Sequence, residues 1–132
     1  MTGYVTSTPR TLLRLEGLAV LVVASIAYAR WGLGWEAFAL FFLAPDLAML
    51  GYLGGRKLGA ASYNLAHWYA GPLILLGAGV VLAQPLALSA GLIWAAHIGL
   101  DRALGYGLKY EDGFFATHLG WLGKAGRALA AA

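Results

Sequence analysis

Six polar or ionisable side chains sit inside segments that are otherwise apolar: Glu16, Asp46, Asn64, His67, His97 and Asp101. Asn64 and His67 are spaced i, i+3, and His97 and Asp101 are spaced i, i+4, so on a helix each pair shares one face. Imidazoles and carboxylates drawn from separate segments form a mixed nitrogen and oxygen donor set, the kind that holds Zn, Mn or Fe. In that chemistry Asp46, His67, His97 and Asp101 are the ligands, and Glu16 is the general base for a metal-activated water. Asn64, Arg102, Tyr106, Lys109 and His118 complete the polar surroundings. Two other uses of the same residues stay open. One is a proton relay or small-molecule binding pocket; the other is hydrogen-bonded glue between helices, with Glu16 and Asp46 paired to Arg14 or Arg102. A bis-histidine haem on His67 and His97 is disfavoured, because carboxylates are poor company for that cofactor.

The elements that must position these residues are membrane spans. The chain has 132 residues, of which 61% are apolar and 11% charged, with a mean hydropathy of +0.71. A soluble domain is about 25% charged, so a chain this short cannot clothe itself in polar residues. No cysteine is present, which excludes thiolate chemistry and disulfides. The pI near 9.4 does not point to nucleic acid, because the net charge is only +3 and the basic residues lie in the gaps between apolar runs.

From Leu58 to Leu100 there is no Asp, Glu, Lys or Arg, a run about twice as long as one bilayer crossing requires. Gln84-Pro85 is its natural break, since proline is tolerated in the first turn of a new helix. The expected spans are 12–29, 35–54, 58–83 and 85–108, giving an all-α, antiparallel four-helix transmembrane bundle in a single domain. Residues 109–132 are too polar to cross again. Phe115, Leu119 and Leu122 at i, i+4, i+7 predict a short helix in the interface, with His118 beside it. Arg10 and Arg14 ahead of Ala27-Tyr28-Ala29 mimic a signal peptide, but Glu16 interrupts the region that should be most apolar.

Eight of the nine basic residues fall at one end of these spans and only Arg30 at the other, which predicts both termini in the cytoplasm. Counted inward from the basic end, the six polar residues fall in a band roughly 6 to 17 Å deep, on all four helices. Pro45 beside Asp46 and Gly71-Pro72 just after His67 should each break a helix near the band. Tyr52, Tyr63, Tyr106, Tyr110, Arg102 and Lys109 crowd the cytoplasmic mouth, where Arg102 and Lys109 could hold an anionic headgroup. Gly51-x-x-x-Gly55 and Gly99-x-x-x-Ala103 are small-residue ridges that allow close helix packing, including between copies of the chain.

Several of these stretches resemble a known family. They are Arg14-Leu15-Glu16-Gly17, Ala44-Pro45-Asp46-Leu47, Tyr63-Asn64-Leu65-Ala66-His67, His97-Ile98-Gly99-Leu100-Asp101-Arg102 and Thr117-His118-Leu119-Gly120. Together they resemble a family of small bacterial four-helix membrane proteins classed as a domain of unknown function, over about residues 12–120; no activity comes with that resemblance. Pro45-Asp46 followed by a histidine on the next helix is also similar to the YdjM-type inner-membrane metal-dependent hydrolases, although this chain lacks their second Asp and paired His. The residues together predict a metal-dependent hydrolase acting on a lipid or other amphiphile. The alternative is a non-catalytic binder or proton-coupled carrier.

Overall fold

The computed structural model describes residues 3–131. The chain ends on which the topology expectation bears, residues 1, 2 and 132, lie outside the described residues. Three helical stretches, Ser7–Trp31, Trp35–Gly54 and Arg56–Val81, are long and apolar enough to cross a membrane. Along them leucines, isoleucines and valines such as Val23, Ile26, Leu40, Leu53, Ile74 and Val81 stand exposed, a belt that a soluble surface would not carry.

Only the first of these stretches is one unbroken helix, α1 (Ser7–Trp31). The second is α2 (Trp35–Phe41) followed by a 3-10 helix over Ala44–Gly54. The third is α3 (Arg56–His67) followed by α4 (Ala70–Val81). The second and third spans are thus each interrupted near the proline where a break was expected. Pro45 has no N–H for the ladder, and the chain continues in the tighter 3-10 form for 11 residues, well beyond the usual run of three or four. Pro72 forbids a ladder bond to Trp68, whose backbone turns extended (φ −101°, ψ 155°).

The fourth expected span is α5 (Pro85–Leu104), which ends sooner than 108 because Gly105 adopts a left-handed cap with φ +91°. It is the central helix, buried from Ser89 to Arg102 on most of its faces. A helix enclosed by protein can carry His97, Asp101 and Arg102 at a lower cost than one facing lipid. Against it α1 packs antiparallel, backbone to backbone. A Cβ on Gly99 would lie 2.6 Å from the Gly17 carbonyl oxygen, and one on Gly17 would lie 2.8 Å from that of Gly99. Gly51 likewise faces Ser62 of α3. Gly99 and Gly51 therefore serve contacts within the chain.

The tail differs most from expectation. Residues 114–122 form no interfacial helix. They make a small hairpin of β1 (Ala116–Thr117) and β2 (Gly120–Trp121), and only α6 (Gly123–Ala131) is helical. Gly113, Gly120 and Gly123 all have positive φ, which a helix cannot accommodate. Ala116, Thr117 and Leu119 are fully buried in this folded cap, whereas Phe115 stays exposed. The cap is stitched to the N-terminus by Val5 N–H donating to the His118 carbonyl (2.7 Å).

Candidate metal centre

Where α3 ends at its break, its last carbonyls lose their ladder partners, and α5 supplies replacements. Trp94 Nε1 donates to the Ala66 carbonyl and Arg102 Nη2 to the His67 carbonyl, both at 2.6 Å, while Arg102 Nη1 donates to the Tyr106 carbonyl at 2.9 Å. A cation on a helix C-terminus also meets the negative end of its dipole. Arg14 does the same for α5, donating from Nε to the Ala103 carbonyl at 2.9 Å. Both arginines thus serve backbone carbonyls; among the described residues neither forms an ion pair with Glu16 or Asp46.

These braces hold His67 and His97 face to edge, ring centroids 5.1 Å apart. Both rings are buried. His67 stacks on Tyr63 and donates its Nδ1–H to the Tyr63 carbonyl at 2.8 Å, which leaves the Nε2 lone pair directed inward. His97 is backed by an aromatic chain running from Tyr28 through Phe38 and Phe42. Its Nδ1 is buried without a hydrogen bond of full geometry, beside the backbone of Phe42.

Asp46, His67, His97 and Asp101 bring one donor atom each to a common point, all within 4.8 Å of one another. His67 Nε2 lies 3.1 Å from His97 Nε2, 3.2 Å from Asp46 Oδ1 and 3.5 Å from Asp101 Oδ2. His97 Nε2 lies 3.2 and 3.4 Å from the same two oxygens. Ligands about 2.0 to 2.1 Å from a tetrahedral ion stand about 3.3 to 3.4 Å from one another, so five of the six separations are close to those of a ligand shell, and the sixth, between the two carboxylates, lies within 4.8 Å. Four lone-pair donors converging at one point, the two imidazoles buried and the two carboxylates only partly exposed, need positive charge among them. The buried group could hold a metal ion. A haem fits poorly, since 3.1 Å between the two Nε2 atoms is less than the roughly 4 Å that two axial nitrogens on one iron require.

The other predicted residues are placed differently. Glu16 lies exposed on α1, outside the group. Asn64 is no ligand: its Nδ2 donates to the Lys109 carbonyl (2.8 Å) and its Oδ1 accepts from Lys109 N–H (2.6 Å), as a neighbouring strand would. His118 accepts from Leu108 N–H through Nδ1 at 2.8 Å; burial, then the Arg102 charge, lower its pKa. Lys109 bridges to Thr117 through its backbone, and its buried Nζ lies over the rings of Phe114 (3.9 Å) and Tyr63 (4.8 Å). Burial lowers that amine to about 8. A cavity of about 360 Å³ opens on the group, lined by Asp46, Asp101, Tyr63, Tyr106, Lys109 and, unforeseen as site residues, Met49 and Phe114. The carboxylates face this cavity and the histidines lie behind them.

No curated protein and no solved structure matches the chain. The comparisons show no link to the YdjM-type hydrolases. The model of the domain of unknown function DUF4260 matches residues 10–122, taking in every donor of the group and the hairpin that covers it. The chain belongs to the DUF4260 family.

Proposed function

We propose that this protein is a metal-dependent membrane hydrolase whose centre lies near the cytoplasmic side of a bacterial inner membrane, with both termini cytoplasmic and four helical passes. The observation that carries this reading is the two-histidine, two-carboxylate group with its carboxylate edge open to a cavity. Catalytic sites keep a position open to water; with four protein donors here, that position would be a fifth one, on the side of the carboxylates that faces the cavity. Asp46, His67, His97 and Asp101 would hold a divalent Zn, Mn or Fe ion, which would supply a Lewis acid for water and for a carbonyl or phosphoryl oxygen.

The chain's own residues do the rest. His67 and His97, locked by stacking and by the Tyr63 carbonyl, fix the direction of the donors. Asp46 and Asp101 each give one oxygen to the group and keep a second, which can take the proton of an attacking water. That assignment replaces Glu16 as base, because Glu16 lies outside the group. Phe114 and Phe115 at the cavity rim suit a substrate with an apolar portion, a lipid or related amphiphile. A second reading, a binder or proton-coupled carrier, is favoured by one fact: protons shared among the same four groups would also neutralise the cluster.

The test is hydrolysis of fluorogenic amphiphilic esters and phosphodiesters in detergent, before chelation, after it, and after metal is restored. Turnover that disappears with the metal and returns with it is expected. Metal bound at one per chain without hydrolysis of either class would contradict the enzyme and favour the binder.

A further inference from the structure

Lys109 is only 5% exposed, and among the described residues no carboxylate comes within 4 Å of its Nζ. Its companions are two aromatic faces, and the amine lines the same cavity as Asp46 and Asp101. Its backbone is fixed on one side by both bonds to Asn64 and on the other by the bridge to Thr117. A lysine so immobilised and so desolvated is costly to keep unless something answers its charge. The two carboxylates cannot do so once they ligate a cation: a divalent ion cancels them, leaving Lys109 and Arg102 as uncompensated positive charge beside the cavity.

We propose that the cavity between Lys109 and the Asp46–Asp101 edge binds the phosphate-type headgroup of an anionic amphiphile, with Met49, Phe114, Phe115 and Leu122 receiving the start of its apolar tail. The inference rests on the metal reading above and names its substrate class. A phosphate-type group has enough oxygens to reach the ion and the ammonium together, and its own negative charge beside the amine favours the protonated form. Arg102 contributes field but no contact, because its guanidinium already donates to the carbonyls of His67 and Tyr106.

The experiment uses the full chain in a neutral maltoside detergent, loaded with metal to a measured stoichiometry, and titrated with dodecyl phosphate, inorganic phosphate and the uncharged dodecyl glycerol ether. Dodecyl phosphate is expected to bind at least about tenfold tighter than either of the others, and to lose at least about tenfold in Lys109→Met but little in Lys109→Arg. Metal content of Lys109→Met should equal that of the wild type. In the wild type, bound dodecyl phosphate should slow acetylation of Lys109 by acetic anhydride but not that of the exposed Lys57. Unchanged affinity in Lys109→Met, or unprotected Lys109 in the wild type, overturns the headgroup site. Inorganic phosphate binding as tightly as the alkyl ester assigns the site to free phosphate and overturns the amphiphile. Absence of metal in every sample is a separate result that overturns the metal reading, and it is measured before any phosphate is added.

Discussion

At the scale of single residues the structure separates side chains that attract a cation from side chains that hold the backbone. His67 and His97 belong to the first kind. His67→Ala and His97→Ala should each lose bound metal, whereas Glu16→Gln should keep the wild-type metal content, as elemental analysis of the purified variants would show. Asn64 belongs to the second kind. Asn64→Ala leaves the Lys109 N–H and carbonyl without partners and should cost about 2 kcal/mol or more, seen as a lower melting temperature in detergent and faster exchange of the Lys109 amide. Lys109 adds a pH dependence. With the folded pKa near 8 and the unfolded value near 10.4, the unfolded chain binds more protons between them, so stability should rise with pH across that window. Lys109→Met should flatten the rise, and melting curves at pH 7.5 and 10 would check it. Asp46, His67, His97 and Asp101 were legible in the sequence because charge inside an apolar run has to be explained. Asn64 was legible as a polar group near the site, but not its partner, since that is backbone, which no residue pattern reveals.

At the scale of elements, two prolines do most to shape the site. Pro45 turns the second stretch into a 3-10 helix just ahead of Asp46, and the break before Pro72 frees the carbonyls that Trp94 and Arg102 take up. The positions of both breaks could be read from the sequence, but the form that followed could not, since a proline says where a ladder fails and not what replaces it. The tail was harder still. Phe115, Leu119 and Leu122 have helical spacing, yet Gly113, Gly120 and Gly123 take positive φ and the segment folds as a hairpin. Glycine outweighs apolar spacing in so short a segment. Close approach of α1 and α5 is the element-level contact most open to test. Gly99→Ala places a methyl against the Gly17 carbonyl and should cost about 1 to 3 kcal/mol, whereas Gly77→Ala, with open space around it, should not; melting of both variants in detergent would check this.

At the scale of the molecule, contacts gather the expected cytoplasmic segments at one end. Arg14 meets Ala103, Arg56 donates to the Asp112 carbonyl, and Val5 meets His118. Segments that carry basic residues thus meet in space, and reporter fusions at both termini are expected to read cytoplasmic, with a periplasmic signal at either end opposing the four-pass topology. The enclosed α5 carries His97 and Asp101 past α1, α3 and α4, and the cap closes over the same end. Everything in this architecture leads to one buried point between two histidines and two aspartates. The most direct measurement is the metal content per chain of the protein purified in neutral detergent and reconstituted in turn with Zn, Mn and Fe, beside His67→Ala and His97→Ala. One ion per chain in the wild type, lost in both variants and released as the pH falls through the histidine range near 6.5, is the predicted result. A wild type that holds none of the three metals, or histidine variants that hold as much as the wild type, would contradict the account.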